Sequence, residues 1–148
     1  MHKRYAAVLG LLALLLSMLP AAFAADAVAK AGSKGAAQHR AVFQVNEDDS
    51  RKWNTVLANL NNVQEELGKV DISVVVIGPA LGMLKADALT ANRVQDAMAA
   101  GVRFVACGNS MQAQHLTKDD MIDGIDYARA GYVEVMRLQK LGYAYIRP

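Results

Sequence analysis

The order of apolar runs along the chain predicts a three-layer α/β/α domain built on a mainly parallel sheet. Strand-like segments rich in Val, Ile and Phe alternate with segments whose apolar residues recur at helical spacing, the pattern of successive βαβ units. The run ISVVVI at residues 72–77 is apolar on both faces of a strand, as a parallel sheet covered by helices on each side requires. Glycines stand where helices should stop, at Gly68, Gly101 and Gly142.

The elements follow in order. Residues 40–46 (RAVFQVN) form the first strand, and the acidic turn EDDS after it offers Asp49 or Ser50 as a helix N-cap. Across residues 51–67, Trp53, Val56, Leu57, Leu60, Val63 and Leu67 keep helical spacing, with Trp53 as a core anchor. The second strand, residues 72–77, ends at Gly78-Pro79, where a flexible loop runs to Gly82 and one helical turn follows over 82–86. Thr90 caps a helix over 91–100, and VRFVAC at 102–107 is the third strand. Asn109 or Ser110 caps a short helix over 110–116; Thr117 opens another turn, with Asp119 and Asp120 near its N-terminus. A fourth strand over 125–129, an amphipathic helix over 132–141 and a last strand over 143–147 complete the domain. Tyr143 and Tyr145 then share one face of that last strand, which suits burial or a subunit contact.

The N-terminus points to export. His2, Lys3 and Arg4 precede an apolar core, and Ala22-Phe23-Ala24 is a small-x-small cleavage pattern. The expectation is a signal peptide over 1–24, cut after Ala24, and a periplasmic or secreted protein with no membrane attachment afterwards. Residues 25–38 (ADAVAKAGSKGAAQ) lack apolar periodicity and read as a disordered linker. Residues 39–148 are long enough to bury a single core without disulfide staples. The full chain has 16 Lys and Arg against 14 Asp and Glu. Lys3 and Arg4 leave with the signal, so the remainder is balanced, with no basic excess to attract nucleic acid.

Against that background Cys107, the one cysteine of the chain, needs an explanation. An exported domain with one thiol is no disulfide scaffold, and the thiol is either reactive or a small buried hydrophobe. Cys107 ends the third strand, where α/β sheets gather functional groups, and a helix opens just after it. The small Gly108 and the backbone amides of Asn109 and Ser110 at that helix start favour thiolate over thiol. No histidine is placed to act as its base, because His115 lies two turns along, which argues against cysteine-hydrolase chemistry. An alternative set is Cys107, Met111 and His115, whose spacing of four and soft donor chemistry suit copper. Against it, Cys107 falls on a strand, and methionines at helical spacing are usually core filler. Asp48 and Asp49 face the same rim, although such a pair is most often a solvated turn.

Three stretches, DDSRKWNTVLANLNN, GVRFVACGNSM and GYVEVMRLQKLGYAYIRP, carry a family likeness. From Arg40 to Pro148 the chain resembles the DsrE/DsrF-like sulfur-relay family, in particular its exported single-domain members. The resemblance implies a parallel five-stranded sheet and assembly into homo-oligomers (trimers or hexamers); no cofactor is expected. It also implies that Cys107 is the sulfur-carrying position, receiving a persulfide sulfur from one protein thiol and passing it to another. Export separates this chain from the family's cytosolic relays, so their partners are not carried over. The expectation is an exported sulfur carrier working through Cys107 rather than an enzyme with turnover. The alternative is an oligomeric ligand- or copper-binding module without thiol chemistry.

Overall fold

A computed structural model describes residues 39–148, and the expected signal peptide and linker lie outside the described residues. Five strands, β1 (His39–Val45), β2 (Val70–Val76), β3 (Arg103–Cys107), β4 (Asp126–Ala128) and β5 (Ala144–Ile146), form one sheet in the order β4-β3-β2-β1-β5. Every pairing is parallel, so all five strands end at the same edge. Four α-helices connect them: α1 (Ser50–Leu67), α2 (Ala91–Ala99), α3 (Gly108–Ala113) and α4 (Gly131–Lys140).

Side-chain alternation divides the interior into two cores. Phe43, Val45, Ile72, Val74, Val76, Phe104 and Ala106 point to one face, where they pack with Trp53, Val56, Leu57 and Leu60 of α1 and Val94 and Ala97 of α2. Val42, Val75, Ile77, Val105 and Cys107 point to the other, beneath Val135 and Leu138 of α4. Burying each large aliphatic side chain of this kind stabilises the fold by roughly 1.5–3 kcal/mol before entropy is counted. The topology explains the unequal layers. β1 to β4 step across the sheet in one direction, whereas α4 must carry the chain back past β3, β2 and β1 to place β5 beside β1.

Asp49 is the N-cap of α1, its carboxylate accepting from the backbone N–H of Arg51 at 2.9 Å and of Lys52 at 3.4 Å. Trp53 is buried as expected, and its indole N–H donates to the Glu47 carbonyl at 2.7 Å. Other boundaries differ from the sequence expectation. The stretch expected to be a loop and then one turn is a single 3-10 helix, Gly78–Leu84, because Ala80, Leu81, Met83 and Leu84 are all buried. Thr90 stands at the N-cap of α2 as expected, but its hydroxyl makes no capping hydrogen bond and donates instead to the Met83 carbonyl at 3.1 Å. A second 3-10 turn, Lys118–Asp120, follows Thr117, which forms a capping box with Asp120. β4 is only three residues long, entered from a turn at Gly124 (φ 84°), and β5 is equally short. Tyr143 and Tyr145 do share the α4 face: the Tyr143 hydroxyl bonds Asp71, and that of Tyr145 donates to Gln44 at 2.9 Å.

Candidate functional site around Cys107

Cys107 is the last residue of β3 and lies at the carboxyl edge of the sheet. Strand alternation directs its side chain to the α4 face, where it is 4% exposed. Two helices begin against it. α3 starts one residue earlier than Asn109, the first expected cap, with Cys107 itself at the N-cap in extended conformation. α4 starts at Gly131, whose backbone N–H donates to Cys107 Sγ at 3.2 Å. The sulfur therefore accepts from the positive end of a ten-residue helix that is 24 residues away in sequence.

The close approach depends on Gly131 having no side chain. A Cβ there would lie 2.6 Å from Cγ1 and 3.0 Å from Cδ1 of Ile77, and 3.1 Å from Cβ of Cys107. Gly131 adopts no positive φ, so steric room rather than backbone conformation is what glycine supplies.

Ser110 contributes from the other side. Its Oγ accepts the Gly78 N–H at 2.8 Å, which leaves the hydroxyl proton free for the neighbouring sulfur. Gln114 completes the attachment by donating to the Gly78 carbonyl at 2.8 Å, so the Gly78 peptide is held at both ends by α3 and its C-cap. Burial pushes the Cys107 pKa up. Hydrogen bonding from the Ser110 hydroxyl and the Gly131 amide, with weaker help from the Ser110 and Asn109 amides, outweighs burial and leaves the pKa below its ordinary value.

Not every expected site residue has the expected part. The Asn109 amide makes its full hydrogen bond to the Arg129 carbonyl at 3.0 Å. Gly108 is not required by packing, since a Cβ there would make only ordinary contacts, 3.4 Å from the Ala128 carbonyl oxygen and 3.5 Å from Arg129 Cα. Cys107, Met111 and His115 are not brought together as a metal set. Met111 is buried in the α1–α2 core on the opposite face of the sheet from Cys107. α3 ends at Ala113, and His115 follows with a left-handed backbone (φ 55°) and an exposed side chain. Asp49 is engaged as a helix cap, which leaves it no role at the thiol.

The sequence reading missed Gly131 and Gln114, and took Gly78 only as the start of a flexible loop. The one local signal was a glycine at the start of a helix directly after a strand, in ARAGYVEVM. Which sulfur or side chain it would face is set by the sheet order.

Comparison with known proteins agrees with this architecture. No curated protein matches the chain. Among solved structures, a protein of unknown function from Methanobacterium thermoautotrophicum, MTH1491, is 33% identical with a TM-score of 0.73, covering 75% of this chain and 100% of its own. The ychN protein of E. coli (15% identity, TM-score 0.63, covering 75% of this chain and 99% of its own) shares the fold. So does BT1422, a protein of unknown function from Bacteroides thetaiotaomicron (13% identity, TM-score 0.57, covering 72% and 94%). The DsrE/DsrF-like family model matches residues 38–148, the whole of the described domain. With its all-parallel sheet and a relative at one-third identity along that relative's full length, the chain belongs to the DsrE/DsrF-like family.

Proposed function

We propose that this protein is an exported sulfur carrier in which Cys107 holds a sulfur atom as a persulfide. Membership of the DsrE/DsrF-like family supports sulfur relay as the general chemistry. The observation that carries the specific reading is the Gly131 amide of α4 donating to Cys107 Sγ at 3.2 Å. That contact stabilises the anion, and the thiolate is the form that attacks sulfur.

The step balances without an outside oxidant. The Cys107 thiolate attacks the outer sulfur of a donor persulfide; the new S–S bond forms as the donor's S–S bond breaks, and the donor leaves as a thiolate. An acceptor thiolate then takes the outer sulfur from Cys107 by the same displacement and frees the Cys107 thiolate. At 4% exposure, Cys107 needs the first turn of α4 or α3 to move aside before a protein thiol reaches it. The low exposure also shields a persulfide from the oxidants of an exported compartment.

A homo-oligomer is part of the same reading. Tyr132, Val133 and Met136 are all more than half exposed on α4, and an apolar stripe of this kind suits a second subunit. The test is cyanolysis after incubation with glutathione persulfide and removal of excess donor. Wild type should release close to one thiocyanate per chain and Cys107→Ala none; no thiocyanate from wild type would refute the carrier role.

A further inference from the structure

Glu134 is the buried charge that the sulfur chemistry leaves unexplained. Its side chain is 9% exposed and faces Arg103 of β3, Nη1 to Oε1 at 3.0 Å, and Arg137 of α4 at 2.7 and 2.8 Å. Arg103 also pairs with Asp126 of β4. A partly buried ion pair of this kind is by itself weak evidence for stability, because desolvation offsets part of the attraction. Its best-attested use is to fix register.

Register is what the site requires. Arg103 and Cys107 sit on one strand and the same face, four residues or about 13 Å apart. Gly131 and Glu134 sit on one helix, three residues or about 4.5 Å apart along its axis. α4 is therefore tied to β3 at two points, Gly131 to the sulfur and Glu134 to the guanidinium, with the long Arg103 side chain bridging the difference in span. The apolar contacts of Val135 and Leu138 hold α4 to the sheet, and the ion pair adds a directional tie along the strand.

We propose that Glu134, acting through Arg103, is a positioning residue for the carrier thiol: the pair sets where α4 begins along β3 and so keeps the Gly131 amide on Cys107 Sγ. This rests on reading Cys107 as a thiolate. The sign of the effect separates positioning from simple electrostatics. Glu134→Gln removes a negative charge near the sulfur, which by Coulomb interaction alone lowers the thiol pKa. Loss of position removes the Gly131 hydrogen bond and raises it.

The experiment measures the rate of iodoacetamide alkylation of Cys107 against pH in the full chain, together with hydrogen exchange at the Gly131 amide. In Glu134→Gln the profile should move to higher pH by about one unit, a tenfold loss of rate well below the midpoint, and the Gly131 amide should exchange faster. Arg137→Gln, which leaves the Glu134–Arg103 bond in place, should move neither readout appreciably. If Glu134→Gln does not hold its fold, Glu134→Asp gives the same test, keeping the charge but shortening the reach. A profile that is unchanged or shifted to lower pH, with Gly131 protection intact, overturns the proposal. If wild-type Cys107 itself titrates as an ordinary thiol, the thiolate reading fails while Gly131 exchange still decides whether the clamp exists.

Discussion

Replacing Gly131 with alanine tests the site through its steric core. The added Cβ would sit 2.6 Å from Ile77 Cγ1 and 3.1 Å from Cys107 Cβ, and neither neighbour yields easily. Ile77 is 6% exposed and β-branched, so its χ1 is stiff, and Cys107 Cβ is fixed to the backbone of β3. Overpacking a tight site costs about 1–3 kcal/mol. Helix propensity acts the other way, since alanine is preferred over glycine by up to about 1 kcal/mol. Packing should win, for a net loss on the order of 1–2 kcal/mol and a melting temperature several degrees lower. The same displacement draws the 131 amide away from the sulfur, so the thiol pKa should rise. Thermal unfolding by circular dichroism gives the first quantity, and the pH profile of iodoacetamide alkylation gives the second. A variant that melts at or above wild type with an unchanged alkylation profile would show that α4 does not press on the sulfur as described.

Other expectations follow from the same contacts. Ser110→Ala removes a donor to the sulfur and leaves the Gly78 N–H without its acceptor. It should slow alkylation at pH 7 and cost about 1 kcal/mol in urea unfolding. Glu134 has its pKa lowered from 4.5 to about 2, first by hydrogen bonding to Arg137, then against burial and with help from Arg103. A depressed folded-state pKa contributes stability that is complete above the ordinary glutamate pKa and is lost as pH falls from about 4.5 towards 2. Melting temperature followed from pH 6 to pH 2.5 should therefore fall more steeply in wild type than in Glu134→Gln, and parallel curves would remove the carboxylate from the acid response. Leu60→Ala, at a fully buried position of α1, should cost about 2–5 kcal/mol in the same unfolding measurement while leaving the alkylation profile alone.

The order of elements was legible because it depends on local periodicity. α1 shows its buried face in Trp53, Val56, Leu57 and Leu60, and β2 shows burial on both sides in an unbroken β-branched run. The short edge strands β4 and β5 were legible only approximately, since three residues carry little periodic signal. Residues 78–84 were misjudged because Gly and Pro read as a loop, whereas Leu81, Met83 and Leu84 find a core to fill. The position of Cys107 at a strand end before a helix was also local information. Its most important neighbour was not: the Gly131 amide arrives across 24 residues, and Arg103 meets Glu134 across 31. The spacing of four between Cys107 and Met111 was discounted from sequence because Cys107 falls on a strand, and the strand-to-helix junction does send the two side chains to opposite faces of the sheet.

The carrier role is tested most directly by intact mass in two steps. The full chain is loaded with a small-molecule persulfide and weighed, then mixed with an acceptor thiol and weighed again. The expected result is one added sulfur atom on wild type, absent from Cys107→Ala, and its loss on transfer to the acceptor. Wild-type protein that gains no sulfur, or gains it equally in Cys107→Ala, would contradict the assignment of Cys107 as the carrier.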